Sequence, residues 1–384
     1  KECPKKCFSF GKYEDETQKL ADDLFNNHDN PEYPLDTIRG VEFKKPLFEF
    51  SGACAGCGET PYLKLLTQIV GEKLVIANAT GCSSIYGASC PSTPYKVSWA
   101  NSLFEDNAEF GLGILETYTK MQKRIEKILK QSKNKDVIKF YEKWTLNKND
   151  YQKTKELETE AKKYLPEDLI EYLTPKRVWT IGGDGWAYDI GFGGIDHVLS
   201  SGKNVNILVL DSEVYSNTGG QSSKASKIGA VAEFANMGKR THKKDLFRIG
   251  MTYPNIYVAE ISLGANMMHS IKAFKEAEEH DGPSIIIAYS PCVEHGIKGG
   301  LSNSVQKQKL GVESGYNILM RYKDNKLYLD SKEPNFDKYE EFLNNEVRYN
   351  ALNIKDPVVA KELLFLNKEA AIKRYEYYNN IANK

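Results

Sequence analysis

Two groups of residues in this 384-residue sequence have the types and spacing to do chemistry. The first is Gly182-Gly183-Asp184-Gly185, which follows the apolar run Arg177 to Ile181 and precedes a candidate helix from Ile190 to Ser200. Glycines there let backbone amides approach phosphate oxygens, the helix N-terminus adds partial positive charge, and the carboxylate can bind a cation that bridges two phosphates. Taken alone, Gly-Asp-Gly is equally an ordinary strand-to-helix turn. The diphosphate reading gains from a second polar loop, Asp211 to Gln221, placed one strand later behind the apolar run Val205 to Leu210. A hard cation such as Mg²⁺ takes about six oxygens, and a carboxylate, a hydroxyl or amide, a backbone carbonyl and two phosphates supply most of them.

The second group is cysteines. Cys54-Ala55-Gly56-Cys57 is a C-x-x-C unit, Cys82 sits in Thr80-Gly81-Cys82-Ser83-Ser84, and Cys292 follows Ser290-Pro291. Four thiolates from three loops can hold a tetrahedral zinc or a [4Fe-4S] cluster. A redox dithiol with two buried structural cysteines is the competing reading. Cys90 is expected to be a small buried side chain. Cys3-Pro4 has the form of the last cysteine in a ferredoxin-type run whose earlier members would precede residue 1, and Cys7 has no assigned role.

The elements that must position these groups form an alternating series. Lys73 to Ala79, Arg177 to Ile181, Val205 to Leu210, Asn255 to Ile261 and Ser284 to Tyr289 are short, apolar, β-branched runs that predict buried strands. Helical patterns lie between them: Tyr62 to Val70, with Thr60 as N-cap, Pro61 at the first helical position and Gly71 as the stop; Ile190 to Ser200; and Ala265 to His280. Such alternation predicts an α/β fold with a mainly parallel sheet flanked by helices, whose ligands sit off the carboxyl ends of the strands. Residues 1–45 read as a polar linker with one short helix and the core is expected from Pro46 to Lys384. About 112–173 reads as a Lys/Glu-rich helical insertion with one face on the core. About 300–384 reads as a C-terminal extension: a polar loop, a hairpin around Asp324-Asn325 and a last helix from Val358 to Ile381.

Composition narrows the function class. The 52 basic and 52 acidic residues cancel, which removes the electrostatic case for nucleic acid or an anionic membrane surface. No apolar run reaches the ~18 to 20 residues of a membrane span, and Lys1 to Lys6 leads into no apolar signal region. Cytoplasm is the default compartment. Seven cysteines unevenly spread in a chain of this size predict metal-bound thiolates in a reducing interior and not a disulfide scaffold. The first residue is not Met, so the start is read as a processing site or a cut in something longer. The run Lys239 to Lys244, with His242, is expected to be solvated, against the alternative that it guides an acidic electron acceptor or a coenzyme A phosphate. His295 is either a tuner of the cysteine site or an ordinary polar loop residue.

Gly183-Asp184-Gly185 followed by the Ser212 loop resembles the cofactor motif of thiamine-diphosphate enzymes. Tyr215-Ser-Asn-Thr-Gly-Gly-Gln-Ser-Ser-Lys-Ala225, Phe48 to Thr60 and Ala77 to Ser84 resemble the pyruvate:ferredoxin (flavodoxin) oxidoreductases, from about Pro46 nearly to the C-terminus. The resemblance implies the C-terminal thiamine-diphosphate and [4Fe-4S] domain of that family. Asp184, the Ser212 side chain and the Val214 carbonyl would then hold Mg²⁺. Gly183, Gly185, Trp186 and Thr218 would line the cofactor, and Cys54, Cys57, Cys82 and Cys292 would hold the proximal cluster, Cys82 also beside the cofactor. Asn217, facing the substrate and thiazolium end, and Glu59, matching a family glutamate, are the implied catalytic residues; Glu59 is equally a carboxylate at a helix N-terminus. Many thiamine enzymes carry Asn where this sequence has Ser212, a departure that keeps an oxygen donor.

The implied reaction is oxidative decarboxylation of pyruvate to acetyl-CoA and CO₂, with electrons passing through the cluster to ferredoxin or flavodoxin. Thiamine enzymes also need a glutamate from a pyrimidine-binding domain, so this chain is expected to be inactive alone. It would work with the rest of its polypeptide or a companion subunit, as a homodimer of the whole, with a two-cluster ferredoxin domain just before it. The rival readings are a related 2-oxo acid:ferredoxin oxidoreductase, a non-redox thiamine enzyme with a structural metal, and a zinc-stabilised or electron-relay module.

Overall fold

The structure, a computed structural model, describes residues 11, 15–26, 31–88 and 92–383. The readings of Cys3, Cys7 and Cys90 lie outside these residues. Eight strands form one sheet: β1 (Leu74–Ala79), β2 (Ser98–Ser102), β3 (Arg177–Gly183), β4 (Asn206–Asp211), β5 (Tyr257–Ile261), β6 (Ser284–Tyr289), β7 (Met320–Lys323) and β8 (Lys326–Leu329). Their order is β2–β1–β3–β4–β6–β5–β7–β8. The first six are parallel, and β7 and β8 run antiparallel.

Every residue of β1, β4, β5 and β6 is buried, as expected for parallel strands covered on both faces. That burial makes them continuous apolar runs in the sequence. β2 escapes that pattern because Ser98-Trp-Ala-Asn-Ser102 is a polar, half-exposed edge strand. The hairpin at Asp324-Asn325 forms as expected, with both residues at positive φ (52° and 60°), as a two-residue turn of this kind requires. It also extends the main sheet through β5, which its sequence did not indicate.

Helices cover both faces. Thr60–Val70 and Met267–Glu279 bury Tyr62, Leu63, Leu66, Ile271 and Phe274 against one face. Phe192–Ser200, Leu246–Gly250 and the last helix, Pro357–Ala382, contribute Ile195, Phe247 and Tyr378 to the other. The expected N-cap moves by one residue: Glu59 caps the first of these helices, and Thr60 is its first member.

The helical insertion starts earlier than expected, at Asn107, and comprises Asn107–Lys130, Lys135–Asn147, Tyr151–Ala161 and Glu167–Ile170. Its first helix lies so close to the sheet that a Cβ at Gly111 would stand 2.0 Å from Thr180 Cγ2. The rest builds a small core of its own around Ile125, Phe140, Trp144 and Leu157.

Residues 1–45 hold two described helices, Asp15–Asn26 and Ile38–Glu42, and Val41 is fully buried in the main core, so packing begins before Pro46. The segment after Gly300, expected as a polar loop, is helical from Ser304 to Glu313 and buries Gln308, which bonds to the Tyr62 hydroxyl. Among the described residues no helix is long and apolar enough to cross a membrane.

Candidate cofactor site

Four neighbouring strands, β1, β3, β4 and β6, deliver the candidate residues to one edge of the sheet. Their carboxyl ends lead into Cys82, Asp184, Ser212 and Cys292 respectively, and the C-x-x-C loop joins them from the N-terminal side of the helix Thr60–Val70. This is where an open parallel sheet binds ligands.

At the diphosphate end Asp184 is 2% exposed and caps the single π-helical turn Gly185–Ile190. Ser212 Oγ lies 3.4 Å from Asp184 Oδ1 and 3.1 Å from the Val214 carbonyl, so three oxygens from two strand ends converge. Asp184 Oδ2 is buried with no hydrogen-bond partner. Burial pushes the Asp184 carboxyl up to about 7, outweighing the Ser223 hydroxyl and the Lys243 charge that favour its ionised form. A cation bound here would answer both the orphaned oxygen and the desolvation.

The two glycines of the turn have different reasons. A Cβ on Gly185 would stand 2.3 Å from the Tyr215 ring, so Gly185 is required for the second loop to close over the first. A Cβ on Gly183 would meet only the Leu210 carbonyl, at 3.9 Å, which leaves open space beside the backbone. Trp186 does not present its side chain to this space. Its indole is 1% exposed and part of the core, so it can offer a ligand only its backbone amide.

At the other end Cys54, Cys57, Cys82 and Cys292 line one cavity of about 150 Å³ together with Glu59 and Asn217. All four are free thiols. Burial, then the neighbouring Glu59 carboxylate, pushes the Cys57 thiol up to about 12; burial also raises Cys82 and Cys292. A set of thiols held neutral in this way is relieved by a bound positive centre. Among the described residues no three Cys, His, Asp or Glu side chains gather around one point as ligands of a single ion.

Glu59 is 7% exposed and accepts a hydrogen bond from the Tyr86 hydroxyl at 2.9 Å; burial pushes its carboxyl up to about 7. Its side chain makes no capping bond to the helix it precedes. Asn217 and Thr218 are exposed at the rim, where Thr218 bonds Gln221. The two ends meet at Ser216, whose hydroxyl lies 2.9 Å from Ser212 Oγ and whose neighbour in the chain, Asn217, lines the cysteine cavity.

Residues that the sequence left open or did not single out shape this site. His295 is fully buried; its Nε2–H donates to the Ser212 carbonyl at 2.6 Å, while Nδ1 accepts from the Cys292 amide at 3.4 Å. Glu213, between two candidate metal oxygens, is 1% exposed and adopts a left-handed φ of 60°, uncommon for a residue with a Cβ. The basic run is not simply solvated: Lys243 pairs with Asp211 and Glu213, and Lys239 donates to the Ser223 and Ser226 carbonyls, while Arg240 and His242 are exposed.

The family model described as thiamine pyrophosphate enzyme, C-terminal TPP binding domain, matches residues 169–288. The chain is 46% identical over 381 residues to a pyruvate:ferredoxin oxidoreductase of Moorella thermoacetica, covering 90% of this chain and 32% of that protein. It is 46% identical over 388 residues to a pyruvate-flavodoxin oxidoreductase of Trichormus variabilis, covering 93% and 32%. A solved 2-oxoglutarate:ferredoxin oxidoreductase from Magnetococcus marinus, with 2-oxoglutarate, coenzyme A and succinyl-CoA bound, gives a TM-score of 0.43 at 18% identity over 64% of this chain and 66% of that one. The chain spans about one third of the length of the curated relatives it matches. Over that third the chain is similar to the pyruvate:ferredoxin and pyruvate-flavodoxin oxidoreductases, and its residues 169–288 match the thiamine pyrophosphate-binding domain model.

Proposed function

We propose that this chain supplies the diphosphate- and metal-binding half of an enzyme that oxidatively decarboxylates pyruvate to acetyl-CoA and CO₂ and passes the electrons to ferredoxin or flavodoxin. The observation that carries the reading is one continuous site. The converging oxygens of Asp184, Ser212 and Val214 lie one serine away from a cavity lined by four cysteines. Neither half alone has that meaning.

The residues fit the groups the family uses. Asp184, Ser212 and the Val214 carbonyl would hold Mg²⁺, and the amides around Gly183 and Gly185 would hold the diphosphate. Cys54, Cys57, Cys82 and Cys292 would hold a [4Fe-4S] cluster, which takes one thiolate at each iron and so suits thiols spread around a cavity. When bound, thiamine diphosphate supplies the nucleophilic carbon and the electron sink for decarboxylation, and a cluster takes up electrons singly.

The chain's own part is positioning. Asn217 on the cavity rim would orient the 2-oxo acid, and Glu59 with Tyr86 offers a buried carboxyl and hydroxyl beside the thiols. The tight Gly185–Tyr215 contact closes the loop over the turn and excludes water. The activating glutamate for the aminopyrimidine would come from the remaining two thirds of the relatives' length, or a companion subunit, in a homodimer of the whole. Titration of thiamine diphosphate into the chain, followed by tryptophan fluorescence, tests this. A saturable change that needs Mg²⁺ supports the reading, and no saturable change with Mg²⁺ present contradicts it.

A further inference from the structure

Glu213 stands between Ser212 and Val214, and the turn it makes brings the Val214 carbonyl to the Ser212 hydroxyl, which itself reaches Asp184. A residue with a Cβ holds a left-handed φ of 60° only where its surroundings over-determine it. Here they do so at every polar atom. The Glu213 amide donates to Asp211 Oδ1 at 3.3 Å, and its carbonyl accepts from the Ser226 hydroxyl. One carboxylate oxygen pairs with Lys243 at 2.9 Å; the other takes Arg348 Nη2 at 2.9 Å and the Tyr316 hydroxyl.

These partners come from separate parts of the chain. Lys243 belongs to the basic run after β4, Tyr316 precedes β7, and Arg348 sits in the helix Val347–Lys355 of the C-terminal extension. Arg348 is itself held by Glu346 through a 2.6 Å bond, and Glu346 pairs with Lys307 at 3.3 Å. All these side chains are buried or nearly so, and burial strengthens such pairs relative to water.

We propose that Glu213 is a positioning residue for the metal-binding turn, and that Arg348 and Tyr316 of the C-terminal region act on Mg²⁺ binding through it without touching the metal. The proposal rests on the functional reading above for the identity of the bound cation. It assigns the C-terminal extension a task at the site, in addition to covering the sheet.

The test uses three variants of the full 384-residue chain. Glu213→Gly makes the left-handed φ easy and removes the side-chain lock, Arg348→Met removes one partner, and Tyr316→Phe removes one hydrogen bond while keeping the ring packing. The Mg²⁺ concentration for half-maximal thiamine diphosphate binding should rise at least ~10-fold in Glu213→Gly and Arg348→Met, the low end of what lost outer-shell partners cost metal sites, and less in Tyr316→Phe. Hydrogen exchange of the amides of residues 212–216 should quicken in the cofactor-free variants. A purely structural role would lower the melting temperature and leave the Mg²⁺ midpoint unmoved. Midpoints within twofold of wild type in all three variants, with unchanged exchange, overturn the proposal. If wild-type chain shows no Mg²⁺-dependent binding, the functional reading fails, and exchange in the cofactor-free chain still decides whether Glu213 orders the turn. Should Glu213→Gly not fold, the other two variants decide.

Discussion

Asp184 and Ser212 follow different strands, and their side-chain oxygens stand 3.4 Å apart just beyond the carboxyl ends of β3 and β4. The second Asp184 oxygen is buried and has no hydrogen-bond partner among the described residues. Replacing Asp184 with Asn removes a desolvated charge and a metal oxygen together. The melting temperature of the cofactor-free chain should hold or rise, while Mg²⁺-dependent thiamine diphosphate binding falls by at least ~100-fold, about 2.7 kcal/mol or more. Calorimetry of the D184N chain with and without cofactor checks both halves.

Gly183 and Gly185 separate folding from binding. The methyl of Gly185→Ala would strike the Tyr215 ring, and overpacking of this kind costs about 1–3 kcal/mol. Gly183→Ala meets ordinary space and should leave the melting temperature near wild type while weakening cofactor binding. Equal losses of stability in the two variants would contradict this division.

The four thiols that share a cavity should act as one set. Cys→Ser at 54, 57, 82 or 292 should each lower the iron bound per chain after anaerobic reconstitution. Cys90→Ser should leave it unchanged. Iron analysis of the five variants gives the answer, and an iron content that ignores Cys292 would remove that residue from the set.

Acid should loosen the outer edge of the sheet first. Burial raises the Asp330 carboxyl, and the hydrogen bonds from His269 and Arg321 outweigh it, holding it down at about 2. Because its folded value lies below the ordinary ~3.9 of an aspartate, its contribution to stability is complete above that value and vanishes as pH falls towards 2. Asp330→Asn should therefore melt lower than wild type at pH 7, with the gap closing between about pH 4 and 2. Melts across that range measure it.

The insertion should unfold as its own unit. Trp144 is fully buried in its small core and donates to the Leu173 carbonyl at 3.1 Å. Trp144→Ala should cost about 3–5 kcal/mol there. Amide exchange should rise across 121–173, with little change in β3 and β4 and little loss of thiamine diphosphate binding.

What could be read from the sequence, and what could not, follows from distance along the chain. β1, β3, β4, β5 and β6 were legible because full burial, or in β3 burial of all but its two end residues, forces a continuous apolar run on each. The edge strand β2 carries no such mark, and the helix Ser304–Glu313 has neither a strong apolar stripe nor a capping side chain. Asp184, Ser212 and the four cysteines could be named from local motif and resemblance, and the structure brings them to one edge. Their roles remain the content of the proposal. His295 could be offered as a neighbour of Cys292 because it lies three residues on, but its bond to Ser212 spans 83 residues, and Glu213 and Arg348 were illegible as parts of the site, since their bond spans 135. Pairings at that range leave no periodicity.

The most direct measurement is metal and cofactor analysis of one sample: anaerobically reconstituted chain, desalted, then titrated with thiamine diphosphate in the presence of Mg²⁺. About four irons per chain, as a cluster with four thiolate ligands requires, together with one saturable, Mg²⁺-dependent site for thiamine diphosphate, is the predicted result. One zinc or no metal, with no thiamine diphosphate bound, would contradict the joint site at the ends of β1, β3, β4 and β6.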